Sequence, residues 1–262
     1  MVETLQVGGL TVAHVRPSLV TGPPVLFVHG IFVDAREWSD WLVYFAARGF
    51  PAYAVNLRGR AGSRPGTRLG AVSVEDYVAD AVEVAEYLGQ PAVVGHSMGG
   101  LIAQRLAALD VVRSTVLITP APPRGIILFS RELLFSQVKY VPHILFNRVI
   151  QPDHAALRRL AMNRAPASVQ ERALAELVPD SGRVGRELSV TGVSVDARRI
   201  RCPMLVIAAE DDHFVPARVV AKIAARYDAT LHVIPDRGHI VTMEPGWEVL
   251  ADDVARWIAE HG

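Results

Sequence analysis

The sequence Gly95-His96-Ser97-Met98-Gly99 stands between an apolar run at residues 92–94 and a helical pattern at residues 101–109. A chain that passes so abruptly from strand to helix puts the middle residue of the turn into a strained conformation and brings neighbouring backbone very close. Glycine at both flanking positions removes the side chains that would collide there. The pattern therefore predicts a Ser97 hydroxyl raised at the end of a buried strand, with the Met98 N–H beside it at a helix N-terminus.

The same pentapeptide also occurs in ordinary turns, where the serine only caps the helix that follows it. The strand before Ser97 and the helix after it favour a functional hydroxyl. A chemical role nevertheless requires partner side chains, which must come from other parts of the chain.

Strand and helix patterns alternate from residue 24 to residue 118 and again after residue 200. A hairpin pattern around Gly8-Gly9 precedes them. The predicted strands are residues 24–28, 52–55, 92–94, 114–118, 204–209 and 231–234. The predicted helices are residues 35–48, 74–88, 101–109, 217–226 and 246–259. This alternation predicts an α/β fold with a mostly parallel sheet flanked by helices, and a functional site at the carboxyl ends of the strands.

Residues 121–199 interrupt the alternation. A proline-rich linker at residues 119–125 leads into helical patterns at 130–139, 153–163 and 168–177, with no convincing strand among them. We therefore predict a core formed by residues 1–120 and 200–262, with a helical cap, or lid, inserted at 121–199. The apolar residues of the insertion either bury the cap against the core or line a substrate pocket, and both roles are compatible.

The balance of charge excludes some classes of partner. Lysine plus arginine and aspartate plus glutamate number 27 each in the 262 residues, so no overall charge favours nucleic acid. Residues 121–199 hold 12 basic and 7 acidic residues, which gives them +5 and the remainder −5. Solvated helix faces explain this excess most simply, and attraction of an anionic substrate, carrier or surface is the alternative.

The single cysteine, Cys202, excludes an internal disulfide and a cysteine-based zinc site, and it fits a reducing compartment. The first residues lack the pattern of a signal peptide, and no apolar run reaches the roughly 20 residues of a membrane span. We therefore expect a cytoplasmic protein without a membrane span. Nothing in the sequence specifies an oligomeric state.

A serine hydroxyl needs a base to act as a nucleophile at neutral pH, and the base needs a carboxylate to orient it. Among nine histidines, His239 is best placed, in a loop between the last predicted strand and the last predicted helix. The carboxylate is expected at the end of the preceding strand, where Glu210, Asp211 and Asp212 compete.

With these residues identified, nearly the whole chain resembles the serine hydrolases of the α/β-hydrolase fold, which include esterases and lipases with helical caps. The resemblance rests on four loops: His29-Gly30-Ile31, Gly95-His96-Ser97-Met98-Gly99-Gly100, Asp212-His213-Phe214-Val215-Pro216 and Gly238-His239. The chain order of serine, acid and histidine also matches the family. One departure is the loop Asn56-Leu57-Arg58-Gly59-Arg60-Ala61-Gly62, where relatives often have Asp-Leu-Arg-Gly-His-Gly.

The resemblance implies a catalytic triad of Ser97, Asp212 and His239. It also implies an oxyanion hole formed by the backbone N–H groups of Ile31 and Met98, with Phe32 as a substitute donor. No cofactor and no metal are implied. The residues expected to line the substrate pocket are Phe32, Trp38, Phe129 and Phe135. His96 is expected to pack in the core, and His29 is expected to anchor its loop by a hydrogen bond.

The expected activity is hydrolysis of a carboxylic ester, lactone or thioester through an acyl-enzyme, as in a carboxylesterase, on a small to medium, partly apolar substrate. Two alternatives remain. The same three side chains serve lyases, cyclases and acyl transferases of this fold, and some relatives are ligand-binding receptors. Ser97 argues against haloalkane dehalogenases and epoxide hydrolases, which carry an aspartate at that position.

Overall fold

The computed structural model describes residues 1–65, 68–128 and 138–262. Its strands are short and mostly buried. They are β1 (Glu3–Val7), β2 (Leu10–Val15), β3 (Val25–Val28), β4 (Ala52–Val55), β5 (Ala92–His96), β6 (Ser114–Ile118), β7 (Val149–Ile150), β8 (Asp180–Ser181), β9 (Met204–Ala209) and β10 (Thr230–Ile234).

The helices follow the predicted order within one or two residues at most ends. The α-helices are α1 (Ser39–Ala47), α2 (Val74–Tyr87), α3 (Met98–Leu109), α4 (Val141–Leu145), α5 (His154–Leu160), α6 (Ala167–Ala175), α7 (Gly182–Arg186), α8 (Ala217–Tyr227) and α9 (Trp247–His261). Short 3-10 turns occupy Ala35–Trp38, Leu69–Ala71, Val138–Tyr140 and Ala197–Arg199, and a π turn occupies Glu187–Thr191. The predicted helix at residues 35–48 is thus divided into a 3-10 turn and α1, and Asp34 caps the 3-10 turn.

In the described part of the chain, eight strands form one sheet in the order β1-β2-β4-β3-β5-β6-β9-β10. The β1–β2 and β2–β4 pairs are antiparallel, and all other pairs of this sheet are parallel. The predicted α/β fold with a mostly parallel sheet is therefore confirmed. β5 lies between β3 and β6, so the turn that follows it opens at the middle of the carboxyl edge.

Each face of the sheet carries its own hydrophobic core. One core packs α2, α3 and α8 against the sheet and includes Val84, Ile102 and Ile223. The other packs α1 and α9 and includes Phe45 and Val254. Burial on both faces explains why the central parallel strands are continuous apolar runs without alternation.

The segment between β6 and β9 differs from the prediction in one respect. β7 and β8 pair as a two-stranded antiparallel ladder, whereas no strand is predicted in residues 121–199. Each strand has only two residues, which is too short to produce a periodic sequence pattern. The predicted helices at 153–163 and 168–177 correspond to α5 and α6, while the helix predicted at 130–139 lies mostly outside the described residues.

Cys202 lies directly before Pro203 and β9, at the amino-terminal edge of the sheet. Its thiol is half-buried, with Sγ 3.4 Å from the Thr115 hydroxyl. Burial raises the pKa of this thiol. The turn at Ser97 lies at the opposite, carboxyl edge.

Candidate active site

Ser97 occupies the sharp turn between β5 and α3. Its φ of 53° and ψ of −116° are a strained combination for a residue with a side chain. A Cβ atom at Gly95 would overlap the carbonyl oxygen of Gly99, and one at Gly99 would overlap that of Val28. The two flanking glycines are therefore required by backbone crowding, as the pattern predicts.

The structure brings Ser97, His239 and Asp212 together in one buried hydrogen-bonded row. His239 Nε2 lies 3.0 Å from Ser97 Oγ, and His239 Nδ1 lies 2.7 Å from Asp212 Oδ2. All three residues are at most 5% exposed. An Nδ1–H that donates to Asp212 leaves Nε2 as the acceptor for the serine hydroxyl, which is the arrangement that serine activation requires.

Asp212 is selected among the three competing carboxylates by the local backbone. Its Oδ1 accepts hydrogen bonds from the N–H groups of Phe214 and Val215, at 2.7 and 2.8 Å, and this fixes Oδ2 towards His239. Asp211 points away and pairs with Arg164 at the surface. Glu210 is exposed.

The His239 loop is also held through its backbone. The carbonyl oxygen of His239 accepts hydrogen bonds from His96 Nε2 at 3.0 Å and from the Thr119 hydroxyl at 3.2 Å. The Phe214 ring packs against the imidazole at 4.9 Å between centroids. The ring of His239 is thus positioned from three sides.

His96 does more than pack. Its Nδ1 forms a buried ion pair with Glu37, and the other oxygen of Glu37 accepts the Gly30 N–H at 3.1 Å. Burial alone would lower the pKa of His96, but the charge and hydrogen bond of Glu37, together with the hydrogen bond to the His239 carbonyl oxygen, raise it. Burial would likewise raise the pKa of Glu37, but His96 and the Gly30 N–H lower it. The pair therefore joins the His29–Ile31 loop to the His239 loop behind the serine.

The loop after β3 carries the second expected oxyanion donor. Among the described residues, no hydrogen bond has the backbone N–H of Ile31 or of Met98 as its donor, as an oxyanion hole formed by these groups would require. The Phe32 N–H instead donates to Asp180 Oδ2 at 3.1 Å, so Phe32 as a substitute donor is wrong. His29 anchors the loop through hydrogen bonds to Gly30 and Leu57, as predicted.

Asp180, in β8, anchors the loop after β3. Its Oδ2 also accepts from Arg60 Nη2 at 2.5 Å, and its Oδ1 accepts from the Tyr77 hydroxyl at 2.9 Å. Arg60 in turn donates to the carbonyl oxygen of Val33 at 3.1 Å. Asp180 and Arg60 are both buried. Arg60 occupies the position where relatives often carry histidine, so the departure in this loop is matched by a buried acid.

A comparison with protein families identifies the group to which this site belongs. Residues 25–253 match the model of the alpha/beta hydrolase family. The chain belongs to the alpha/beta hydrolase family. Its relatives are hydrolases and related enzymes of this fold, so the protein is a hydrolase enzyme.

Three similar proteins illustrate this kinship. A non-heme haloperoxidase of Rhodococcus erythropolis is 26% identical over 249 residues, covering 84% of this chain and 86% of the relative. A bifunctional esterase/perhydrolase of Acinetobacter calcoaceticus is 27% identical over 228 residues, covering 78% and 79%. A thermophilic esterase from Thermogutta terrifontis has a similar structure, with a TM-score of 0.75 and 20% identity over all of both chains.

Two cavities of the hydrolase meet at Ser97. The small cavity encloses about 60 Å³ and is lined by His239, Glu176, Ala161, Met162, Ile240 and Met243, among others. The large cavity encloses about 540 Å³ and is lined by residues 121–128 together with Tyr140, Ile144, Ile150, Leu188 and Val190, among others. Ile31, Phe32 and Phe214 border both cavities together with Ser97.

The residues predicted to line the pocket have different positions in the hydrolase. Phe32 lies on the wall of both cavities. Trp38 is wrong as a pocket residue, because it is fully buried and packs against Phe27 and Trp41 in the core beneath α1. Phe129 and Phe135 lie outside the described residues.

Sequence reasoning missed Glu37 and Asp180. Glu37 precedes Trp38 on an otherwise apolar stripe, and a charged residue at such a position signals a buried partner. Asp180 follows Pro179 in a stretch without periodicity, and only the unusual Arg60 hinted at a buried acid opposite it. The partners of Glu37 and Asp180, which are His96 and Arg60, lie far away in the sequence, so only the folded structure shows these pairs.

Within residues 1–65, 68–128 and 138–262, no cluster of histidine, cysteine and carboxylate side chains could hold a metal ion. In the same ranges, no helix has both the length and the hydrophobicity needed to cross a membrane.

Proposed function

We propose that this hydrolase cleaves a carboxylic ester, lactone or thioester with an apolar moiety through an acyl-enzyme on Ser97. The observation that supports the proposal most directly is the hydrogen-bonded row Ser97–His239–Asp212, with distances of 3.0 and 2.7 Å. In the proposed roles, Ser97 is the nucleophile, His239 the general base and acid, and Asp212 the residue that orients the imidazole.

In the first step, Ser97 Oγ bonds to the substrate carbonyl carbon while its proton moves to His239 Nε2. The bond between this carbon and the leaving oxygen or sulfur then breaks, and His239 returns the proton to the leaving atom. In the second step, a water molecule gives a proton to His239 and attacks the acyl carbon. The carboxylic acid leaves, and Ser97 recovers its proton.

Both steps place negative charge on the carbonyl oxygen. We assign its stabilisation to the free N–H groups of Ile31 and Met98, the latter at the N-terminus of α3. In well-characterised hydrolases, one such donor contributes about 3–4 kcal/mol to the transition state. The Glu37 and Asp180 contacts support this role, because they fix the loop on both sides of Ile31.

We also propose that residues 121–199 form a cap over a core of residues 1–120 and 200–262. The cap lies against the oxyanion loop, since the Phe32 N–H donates to Asp180 and the Phe32 carbonyl accepts the Val178 N–H at 2.8 Å. It also supplies most of the described wall of the large cavity. These contacts support a role in binding the apolar part of the substrate.

A lyase, a cyclase or an acyl transferase would use the same three side chains, so the products distinguish the reactions. Hydrolysis in ¹⁸O-labelled water puts the label into the released acid. An acyl transferase instead yields a new ester when an alcohol is added, and a lyase or a cyclase leaves the label in the solvent. Labelled acid without dependence on an added alcohol is the expected result.

The central test is Ser97→Ala assayed with methyl butyrate, by titration of the released acid, and with p-nitrophenyl acetate. We expect kcat to fall by at least about a thousandfold, because the nucleophile is lost while binding contacts remain. A fluorophosphonate should label the wild type at Ser97, as located by peptide mass spectrometry. A folded variant with wild-type turnover would refute the proposed role of Ser97.

The role of Asp212 is tested by a matched pair of neighbouring substitutions. Asp212→Asn is expected to lower kcat by about 10⁴-fold, because an amide cannot hold the imidazole in the required tautomer. Asp211→Asn removes only the surface pair with Arg164 and should leave kcat within about twofold, since surface pairs contribute little. Equal effects of the two substitutions would reject Asp212 as the orienting acid.

A further inference from the structure

The two cavities at Ser97 differ about ninefold in volume, at about 540 and 60 Å³. An ester has two sides, the acyl group and the alcohol, and both must be accommodated when its carbonyl carbon reaches Ser97. The two cavities therefore provide separate compartments for the two sides. Which side enters which cavity is decided by the proton donor.

The departing alcohol must receive its proton from His239 Nε2, so it has to lie on the His239 side of the serine. His239 lines the small cavity and is absent from the wall of the large one. Phe214 stands between the two, in contact with the imidazole. The geometry thus places the alcohol in the small cavity and the acyl group in the large one.

The small cavity limits the size and charge of the alcohol. At about 60 Å³ against about 540 Å³, it favours the smaller of the two groups of the ester, such as methanol or ethanol. Two acidic residues, Glu37 and Glu176, border it, and Glu37 is already paired with His96. Because His96 neutralises Glu37, it is the Glu176 carboxylate that disfavours an anionic leaving group.

The large cavity suits an apolar acyl group. Among its described lining residues there is no aspartate or glutamate. The Tyr140 and Ser189 hydroxyls donate to the carbonyl oxygens of Gln151 and Gly185, and the Arg124 guanidinium donates to those of Thr191 and Gly192. These three polar side chains thus have hydrogen-bond partners within the protein, and the volume of the cavity lies in the usual range of about 300–1,000 Å³ for small-molecule sites.

We propose that the natural substrate is an ester of a bulky, apolar carboxylic acid with a small, uncharged alcohol, bound with its acyl group in the large cavity and its alcohol in the small cavity. This inference rests on the proposed function, because it assumes that Ser97 forms the acyl-enzyme and that His239 protonates the leaving alcohol.

Methyl nonanoate and octyl acetate provide a matched test. They are isomers with nearly equal overall hydrophobicity, but the long chain is on the acyl side in one and on the alcohol side in the other. Release of acid is followed by pH-stat titration, with Ser97→Ala as background. We expect kcat/KM for methyl nonanoate to exceed that for octyl acetate by at least about tenfold, since the octyl chain would lose the apolar contacts that the large cavity offers a long acyl chain.

Equal rates, or a preference for octyl acetate, would overturn the inferred orientation and leave the proposed hydrolysis intact. The inferred orientation is also overturned, and the proposed hydrolysis stays intact, if neither isomer reacts while Ser97 still cleaves p-nitrophenyl acetate. If no ester is cleaved and no fluorophosphonate labels Ser97, the proposed function fails together with the inference.

Substitutions of two half-buried residues, Met243 in the small cavity and Ile126 in the large one, serve as controls for each other. Met243→Ala enlarges the small cavity and should raise the rate with butyl acetate relative to methyl acetate, without changing the preference among methyl esters of different acids. Ile126→Trp narrows the large cavity and should lower the rate with methyl nonanoate relative to methyl acetate, without changing the preference among acetates. The reverse pattern would contradict the orientation, and the wild-type comparison stands if either variant fails to fold.

Discussion

At the scale of the residue, the buried pair of Glu37 and His96 connects the two loops that flank Ser97. Glu37 accepts the Gly30 N–H, and His96 donates to the His239 carbonyl oxygen. A buried ion pair gives little net stability when it is intact, but loss of one partner leaves the other uncompensated in a dry environment. The pair is thus better regarded as a positioning device than as a source of stability.

Glu37→Gln is expected to lower the free energy of unfolding by about 3 kcal/mol near pH 6, because His96 loses its counter-charge. Glu37 has a lowered pKa in the folded state, so its contribution is present above about pH 4.3 and disappears as the pH falls through the folded value. His96 has a raised pKa, so its contribution is present below about pH 6.5 and disappears as the pH rises through the folded value.

The difference between wild type and Glu37→Gln should therefore be largest between about pH 4.5 and 6.5 and should shrink towards pH 9. Urea denaturation at a series of pH values measures it. Glu86→Gln is the matched control, because Glu86 is exposed on α2 and should show almost no difference at any pH. A pH-independent loss in Glu37→Gln would contradict the charge-pair explanation.

At the scale of the element, the turn between β5 and α3 depends on close backbone contacts. Gly99→Ala is expected to prevent folding or to cost several kcal/mol, since its Cβ would overlap the Val28 carbonyl oxygen. Gly89→Ala is the control, because Gly89 has a φ of +71° but no atom within 4 Å of the added Cβ. Only backbone strain of about 1 kcal/mol is expected there. Thermal denaturation of both variants tests the difference.

The contact of β8 with the loop after β3 couples the proposed cap to the proposed oxyanion donors. Asp180→Asn should lower kcat by about tenfold or more with little change in KM, because the Phe32 anchor weakens and Ile31 shifts from its position. Loss of the Arg60 counter-charge should also lower stability by about 3 kcal/mol, so kinetics are measured well below the melting temperature.

Two variants separate loop positioning from a general loss of stability. Tyr77→Phe removes one hydrogen bond to Asp180 Oδ1 and should cost about 1 kcal/mol while leaving kcat unchanged. Asp153→Asn preserves the cap of α5 and removes only the partly exposed pair with Lys139, so it should leave kcat unchanged and cost at most about 1 kcal/mol. If Tyr77→Phe lowered kcat as strongly as Asp180→Asn, the positioning explanation would fail.

At the scale of the whole molecule, the sheet and its flanking helices were predictable because periodicity records burial directly. The apolar runs at β3 and β5 and the Ser73 cap of α2 are local signals that the fold preserves. The loops that carry Ser97, Asp212 and His239 were predictable because each follows a strand whose end lies at the same edge. Their roles in chemistry stay a prediction.

The pairs behind these loops were not predictable. Glu37 with His96 and Asp180 with Arg60 join residues 59 and 120 positions apart, and no local pattern specifies such partners. Trp38 shows the opposite difficulty, because an aromatic residue near the site in sequence packs into the core in the fold. The two-residue strands β7 and β8 pair with each other, and β8 is held by contacts with Phe32, Gly70 and Val72, and their sequences are too short to show a periodic pattern.

Because Cys202 lies far from Ser97, the chain offers two separate sites for chemical labelling. Cys202 is the only cysteine in the sequence, and its sulfur lies at the edge of the sheet opposite Ser97. Because burial raises its pKa, a maleimide dye should attach slowly to the native protein and quickly once the chain opens. A phosphonate on Ser97 and a dye on Cys202 would not compete for space. Labelling of the active site and unfolding around Cys202 can therefore be measured on the same protein molecules.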